Sequence, residues 1–401
     1  MRLLHVIHSM NPAGGGPVES LTRVASIMAR DGHSTEVLCL DAPGASWLGN
    51  LPFPVYALGP GKGSYGYAPD LVQWLRDHAS RYDTVVVRGI WQYSSFACWR
   101  ALHNSSTPYV VFPHGMLDPW FKRAHPLKHL KKWMYWPWAE YRVLRDAAAV
   151  LFTCEEERIL ARQSFWLYRC NEVVVNYGAA PPSADREAQE SAFFAMHPHL
   201  KGKRFALFLG RIHSKKGCDL LIEAFFQVLA EDPDLHLVIA GPDQVGWRSR
   251  LTELASELAV EHLITWPGMI SGDVKYGAIK AAEVFVLPSH QENFGIAVAE
   301  ALACGTPVLI SDKVNIWREV QQDGAGIVAR DDIAGTCSLL RTWIQMSPEQ
   351  RSTMRENARL CFERRFHIEK AAESLVRVLA SICDREPVLQ SSTTLGFTGN
   401  P

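Results

Sequence analysis

The chain has 401 residues, room for two to three domains at roughly 150 residues each. Apolar side chains make up 47% and charged ones 21%, which suits a globular protein with a sizeable core. Lys and Arg (41) nearly cancel Asp and Glu (42), for a net charge of −1, so binding of nucleic acid through overall charge is disfavoured. The nine cysteines form no C-x-x-C pair, which argues for reduced structural thiols and against zinc or a disulfide scaffold. No apolar run approaches the roughly 18 residues of a membrane helix. The opening MRLLHVIHSM reads as a first strand and not as a secretory leader. A cytoplasmic location follows as an expectation.

Short apolar runs alternate with helix-period segments along the chain, the pattern of parallel sheets covered by helices on both faces. Strands are predicted at residues 3–7, 35–40, 84–87, 109–112, 150–153 and 173–175. A helix between the first two carries Val18, Leu21, Val24, Ala25 and Met28 on one stripe and stops at Gly32. The second half repeats the scheme at residues 206–209, 235–240, 263–266, 284–287 and 308–310. Residues 178–185 (GAAPPSAD) lack periodicity and read as a linker. The expected organisation is one doubly wound α/β domain over 1–178, a linker at 179–186, and a second such domain over 187–367. A helix at 368–385 would pack back on the first domain, and 386–401 would be a flexible tail. In such folds ligands bind where the carboxyl ends of the strands face a cleft.

Five segments could carry chemistry. Gly14-Gly15-Gly16-Pro17 follows the first strand and opens a helix, so its backbone can approach an anion closely. Its spacing is not G-x-G-x-x-G, although Asp41 after the second strand keeps a dinucleotide site open. GRIHSKKG (210–217) places Arg211 and Lys216 between a strand and a helix, where fixed cations suit a diphosphate. In PSHQENFGIAVAEALACGTPV (288–308), Glu292 precedes a helix opened by Gly295, and Glu300 stands eight residues on. Helical geometry would put these two acids about 12 Å or less apart along the axis and within about 80° of one face. One could then hold sugar hydroxyls and the other a ribose, with a diphosphate facing the Phe294 and Gly295 amides. His114 ends the fourth strand candidate, at the ligand edge of the first domain. Residues 121–145 hold seven Lys/Arg against one acid, interleaved with Trp133, Tyr135, Trp136, Trp138 and Tyr141. That mixture suits an anionic membrane surface, a solvated basic helix or, less well, RNA.

Taken in order, the glycine loop, GRIHSKKG and ENFGIAVAEALACGTPV resemble the retaining nucleotide-sugar glycosyltransferases of family 4, with the GT-B fold. HGMLDPW and the basic segment after it are similar to bacterial members that build exopolysaccharide or lipopolysaccharide units on lipid carriers. The resemblance implies that Arg211 and Lys216 hold the donor diphosphate and that Glu292 binds donor-sugar hydroxyls. Asn293, Phe294 and Gly295 would surround the sugar and phosphate, Glu300 would take the ribose, and His114 would contact the sugar from the opposite domain. Gly15 and Gly16 would lie near the diphosphate, and Glu319 in WREV aligns with a recurrent acid. No metal or other cofactor is expected, since cations already face the leaving group. The donor would be a nucleotide-diphosphate sugar and the acceptor a lipid-linked saccharide at the inner face of the membrane. The residues alone leave open a sugar-nucleotide epimerase, a small soluble acceptor, a non-catalytic sugar-nucleotide-binding partner and a dehydrogenase.

Overall fold

A computed structural model describes residues 1–12, 15–183 and 185–384. Gly14 and the tail expected at 386–401 lie outside the described residues. The first sheet contains β1 (Arg2–Ile7), β2 (Ser34–Cys39), β3 (Val55–Ala57), β4 (Thr84–Arg88), β5 (Tyr109–Phe112), β6 (Ala149–Phe152) and β7 (Glu172–Val174). The second contains β8 (Arg204–Leu209), β9 (Leu235–Ala240), β10 (Ile264–Gly268), β11 (Val284–Leu287), β12 (Val308–Ser311) and β13 (Gly326–Ala329). All pairings are parallel, in the orders β3-β2-β1-β4-β5-β6-β7 and β10-β9-β8-β11-β12-β13. Central strands such as β4, β5 and β11 are buried at every residue, because helices cover both faces.

Each order reverses once, between β1 and β4 in the first sheet and between β8 and β11 in the second. At such a point the flanking crossovers run to opposite faces, which leaves a crevice at the carboxyl ends of the strands. The glycine run leaves β1, and the cation loop 210–217 leaves β8 with the acid segment 288–295 leaving β11. The sequence motifs therefore flank the two switch points.

Chain crossings tie the halves together. Ala179 pairs with His367 in a parallel bridge, its N–H donating to Phe366 O at 2.9 Å, and the Ile368 N–H donates back to Ala179 O at 3.0 Å. From there the helix Ile368–Cys383 lays Ile368, Ala371, Ala372, Leu375, Leu379 and Ile382 against Leu3, Val24, Met28, Val86 and Val110 of the first sheet and its first helix. The core of the second unit is a separate cluster around Phe205, Phe208, Phe225 and Phe285.

Candidate functional site

Lys216 and Glu292 meet in the crevice of the second sheet. Gly217, at φ 66°, caps the helix Cys218–Val228, and a β-carbon there would stand 2.2 Å from Pro288 O. Only glycine lets the cation loop lie against the end of β11. The His290 N–H donates to Lys215 O at 2.8 Å, which zips the two loops together. Glu292 is fixed on its other side by a bridge to Val314: its N–H donates to Lys313 O, and its carbonyl accepts from the Asn315 N–H. With both backbones held, the Lys216 ammonium donates to Glu292 Oε2. Burial, with Arg211 and Lys215 close by, pulls the Lys216 ammonium down to about 7, while contact with the Glu292 carboxylate opposes that pull. Arg211 is exposed at the rim of the same loop.

Glu300 sits deeper. The helix Ile296–Ala303 begins after Gly295, which caps it at φ 81°, so Glu292 lies on a loop and the helical arithmetic linking the two acids does not apply to it. The expected common helix face is corrected to two separate placements. Glu300 is 6% exposed and accepts from Lys275 Nζ at 2.6 Å. Burial raises its carboxyl above the usual range and Lys275 counters. Gly16 and Glu300 line one narrow gap between the two halves, with Ile296, Gly178 and Arg23. Gly15, at φ 76°, caps the helix Gly16–Arg30, and Gly16 O accepts from the Tyr177 hydroxyl at 3.1 Å.

His114 faces this region from the first domain. It has φ 49° and Gly115 has φ 74°, two successive left-handed residues in the turn after β5. Such backbone needs external support. Glu157 supplies it: one carboxylate oxygen accepts from the Gly115 N–H at 2.6 Å, and the other from the Thr153 N–H at 2.7 Å and the Thr153 hydroxyl at 2.6 Å. The His114 ring stacks on Phe112 (centroids 5.3 Å apart), and its Nε2 has no partner among the described residues. Burial and the nearby Arg88 guanidinium pull its imidazole down to about 3, so the ring is neutral at ordinary pH.

The two halves touch through these residues. Asn293 Nδ2 donates to Thr153 Oγ1 at 3.3 Å, and Phe294 packs edge-on against Tyr177 at 4.9 Å. Gln291 Nε2 donates to Asp118 Oδ2 at 3.0 Å, and the Lys215 ammonium lies 4.6 Å from the Trp120 ring centroid. Asn293, Phe294 and His114 thus meet around Thr153 and Tyr177 beside the Lys216–Glu292 pair, and the Tyr177 hydroxyl reaches on to Gly16, which lines the gap with Glu300. Glu319 lies beyond Phe294, in a cavity shared with Cys154, Tyr177 and Arg365, its carboxyl raised by burial.

Sequence reasoning missed Glu157 and Lys275. An acid three residues after the helix N-cap Cys154, in Thr153-Cys154-Glu155-Glu156-Glu157, is a detectable capping signal; Lys275, distant from Glu300 in sequence, carried none. Asp41 accepts from the Ser9 hydroxyl at 2.6 Å and the Met10 N–H at 2.7 Å, so it is engaged in holding the loop after β1. The chain's one D-x-D triplet, Asp232-Pro233-Asp234, precedes β9 at the opposite edge, with Asp232 paired to Arg204 at 2.9 Å.

Residues 15–178 match the family described as glycosyl transferase 4-like domain, and residues 189–361 match glycosyl transferases group 1. The chain is built of glycosyltransferase domains. Over 200 residues it is 29% identical to D-inositol 3-phosphate glycosyltransferase of Nocardia farcinica, covering 48% of this chain and 43% of that one. It therefore spans less than half the length of that curated relative. Its fold is GT-B: it superposes on sucrose-phosphate synthase from Thermosynechococcus elongatus with a TM-score of 0.78 at 20% identity, over 95% of this chain and 99% of that one. Anabaena HepE in complex with UDP and glucose gives a TM-score of 0.73 at 18% identity, over 95% and 100%.

Proposed function

We propose that this protein is a retaining glycosyltransferase that moves a sugar from a nucleoside-diphosphate sugar to a hydroxyl of a lipid-linked saccharide. The observation that carries this reading is the contact of Lys216 with Glu292 at the β8/β11 switch point, opposite the neutral His114. A donor diphosphate competes with Glu292 for Lys216, and the sugar hydroxyls compete with Lys216 for Glu292. The ion pair holds both groups ready until the donor separates them. The acceptor hydroxyl then attacks the anomeric carbon on the face the diphosphate leaves. The bond from that carbon to the phosphate oxygen breaks as the new glycosidic bond forms, and the hydroxyl proton passes to a donor phosphate oxygen. Arg211, Lys216 and the amides opening the helix at Gly295 stabilise charge growing on the diphosphate. His114, being neutral, can accept from or donate to a sugar hydroxyl without adding charge. Glu300, beside Gly16, suits the ribose. The UDP-bound relative supports a nucleoside diphosphate as the donor's handle. A thermal-shift screen with UDP, GDP, their sugars and NAD tests this; stabilisation by a nucleoside diphosphate and its sugar is expected, and stabilisation by NAD alone would sink the reading.

The basic and aromatic composition of 121–145 supports contact with an anionic membrane, and with it a lipid-linked acceptor. Among the described residues no helix is long and apolar enough to cross a membrane, so contact would be peripheral. The aromatic residues of this segment divide: Trp136 is fully buried and the Tyr135 hydroxyl meets that of Tyr65, whereas Trp133 and Trp138 are exposed. Lys132 also turns inward, 4.4 Å from the Trp91 ring centroid, with its ammonium pulled down to about 8 by burial. Lys128 and Lys131 face outward. Reversing both to Glu is expected to release the protein from phosphatidylglycerol vesicles; unchanged co-sedimentation would remove this contact.

A further inference from the structure

The helix Pro126–Tyr135 has no buried residue and exposes Leu127 (79%), Leu130 (55%), Trp133 (45%) and Met134 (59%). A soluble surface rarely leaves so many large apolar side chains together without a use for them. Opposite this helix, outside the basic segment, the loop around residues 163–166 brings up Trp166, 61% exposed, with its ring centroid 6.2 Å from that of Trp133. Phe165 is buried beside them, stacked on Trp136 at 4.4 Å, so this wall is anchored to the core. Between helix and loop runs a groove of about 690 Å³, lined by Lys122, His129, Leu130, Trp133, Phe165 and Trp166. That volume falls within the range of roughly 300–1,000 Å³ typical of sites for one small molecule.

We propose that this groove holds the hydrocarbon chain of the acceptor's lipid diphosphate carrier. The proposal rests on the glycosyltransferase reading and names the part of the acceptor that the crevice itself does not bind. Three observations favour a single carrier chain over a bilayer surface. The apolar side chains form two walls and a floor, which a flat layer of headgroups would leave unfilled. Cationic Lys122 lines the groove and Arg123 and Lys128 are exposed nearby, so an anionic diphosphate would be met at its mouth. Finally, the groove lies within reach of the crevice: Lys122 follows His114 by eight residues, a span of at most about 28 Å. Between them, Trp120 and Phe121 lie under the Lys215 ammonium at 4.6 and 5.1 Å, so the short helix Trp120–Ala124, which gives the groove Lys122, also touches the cation loop of the donor site. One amphiphile can reach both places, with its saccharide at His114 and its chain along Leu130 and Phe165 beside the Trp133–Trp166 pair.

Titration of the full-length protein with farnesyl diphosphate, which carries the chain and the diphosphate without a saccharide, tests this by calorimetry. Dimethylallyl diphosphate, with one isoprene unit, is the control, since each buried methylene strengthens binding by about fourfold. Saturable binding of the farnesyl compound, at least tenfold tighter than the control and weakened at least tenfold by Leu130→Asp and by Trp166→Ala, is the expected result. Both positions are exposed, so folding should survive, and a parallel UDP titration reads the donor site independently in each variant. Absence of saturable binding, equal affinity for the two diphosphates, unchanged affinity in both variants, or association with phosphatidylglycerol vesicles alone would overturn the proposal. Loss of UDP binding by the unsubstituted protein would instead count against the glycosyltransferase reading.

Discussion

Gly115 has φ 74°, and a β-carbon placed there would stand 2.7 Å from the Asn293 side chain across the interdomain cleft. Left-handed backbone costs a non-glycine residue about 1–2 kcal/mol, and here the added methyl would also push Asn293 away from Thr153. Gly115→Ala is expected to lower the transfer rate at least tenfold, with a small fall in melting temperature; an unchanged rate would show that the close approach has no part in turnover. At this scale the sequence was legible where a residue type is demanded by its immediate neighbours. Gly217 and Gly295 stand where the backbone is left-handed, and Lys216 and Glu292 are carried by motifs with a strong local pattern. Glu157 and Lys275 were not legible as partners, because what selects them is an amide or carboxylate brought near by the fold. Helical arithmetic cannot relate Glu292 to Glu300, because Gly295 starts the helix only after the first acid has passed.

Strands buried on both faces announce themselves as continuous apolar runs, which is why the central strands of both sheets could be read from the chain. β3 and β13 escaped notice because each is an edge strand, intermediate in exposure at every residue, and Val55-Tyr56-Ala57 is preceded by Pro52 and Pro54. The basic aromatic segment was legible as a composition but not as a surface, since its rings divide between core and solvent according to helix breaks at His125 and Trp136. Its last helix, Glu140–Arg145, carries a fully buried acid, which accepts from the Trp91 N–H at 2.8 Å and the Ser95 hydroxyl at 3.0 Å. Burial raises the Glu140 carboxyl from 4.5 to about 7. Between those two values the native chain keeps a proton that the unfolded chain has lost, so stability falls as pH rises through that window and is level above it. At 1.36 kcal/mol per unit the fall is about 3 kcal/mol. Urea unfolding at pH 5 and pH 8 should show that difference in the unsubstituted protein and little of it in Glu140→Gln; equal pH dependence in the two would place the charge elsewhere.

Across the whole molecule, two sheets present their switch-point crevices to one another, and the strand orders explain why motifs nearly 200 residues apart converge. The helix Ile368–Cys383 returns the chain to the first sheet, so the halves are joined at the 179/367 crossing as well as through Gln291, Asn293 and Phe294. Opening this hinge would part His114 from Glu292, and closing it would exclude water from a donor held between them. The fold class could be read from alternation along the chain, but the pairing of particular side chains across the cleft depends on the relative placement of two independently cored units. In the proposed mechanism Lys216 grips the diphosphate and Glu292 the sugar. Calorimetric titration of UDP, or whichever nucleoside diphosphate stabilises the protein most, into the unsubstituted protein, Lys216→Ala and Glu292→Gln tests it most directly when paired with turnover. Lys216→Ala should weaken nucleotide binding at least tenfold and lower turnover by orders of magnitude. Glu292→Gln should bind the free nucleotide within about threefold of the unsubstituted protein yet lose most transfer, and near-normal turnover in either variant would contradict the account.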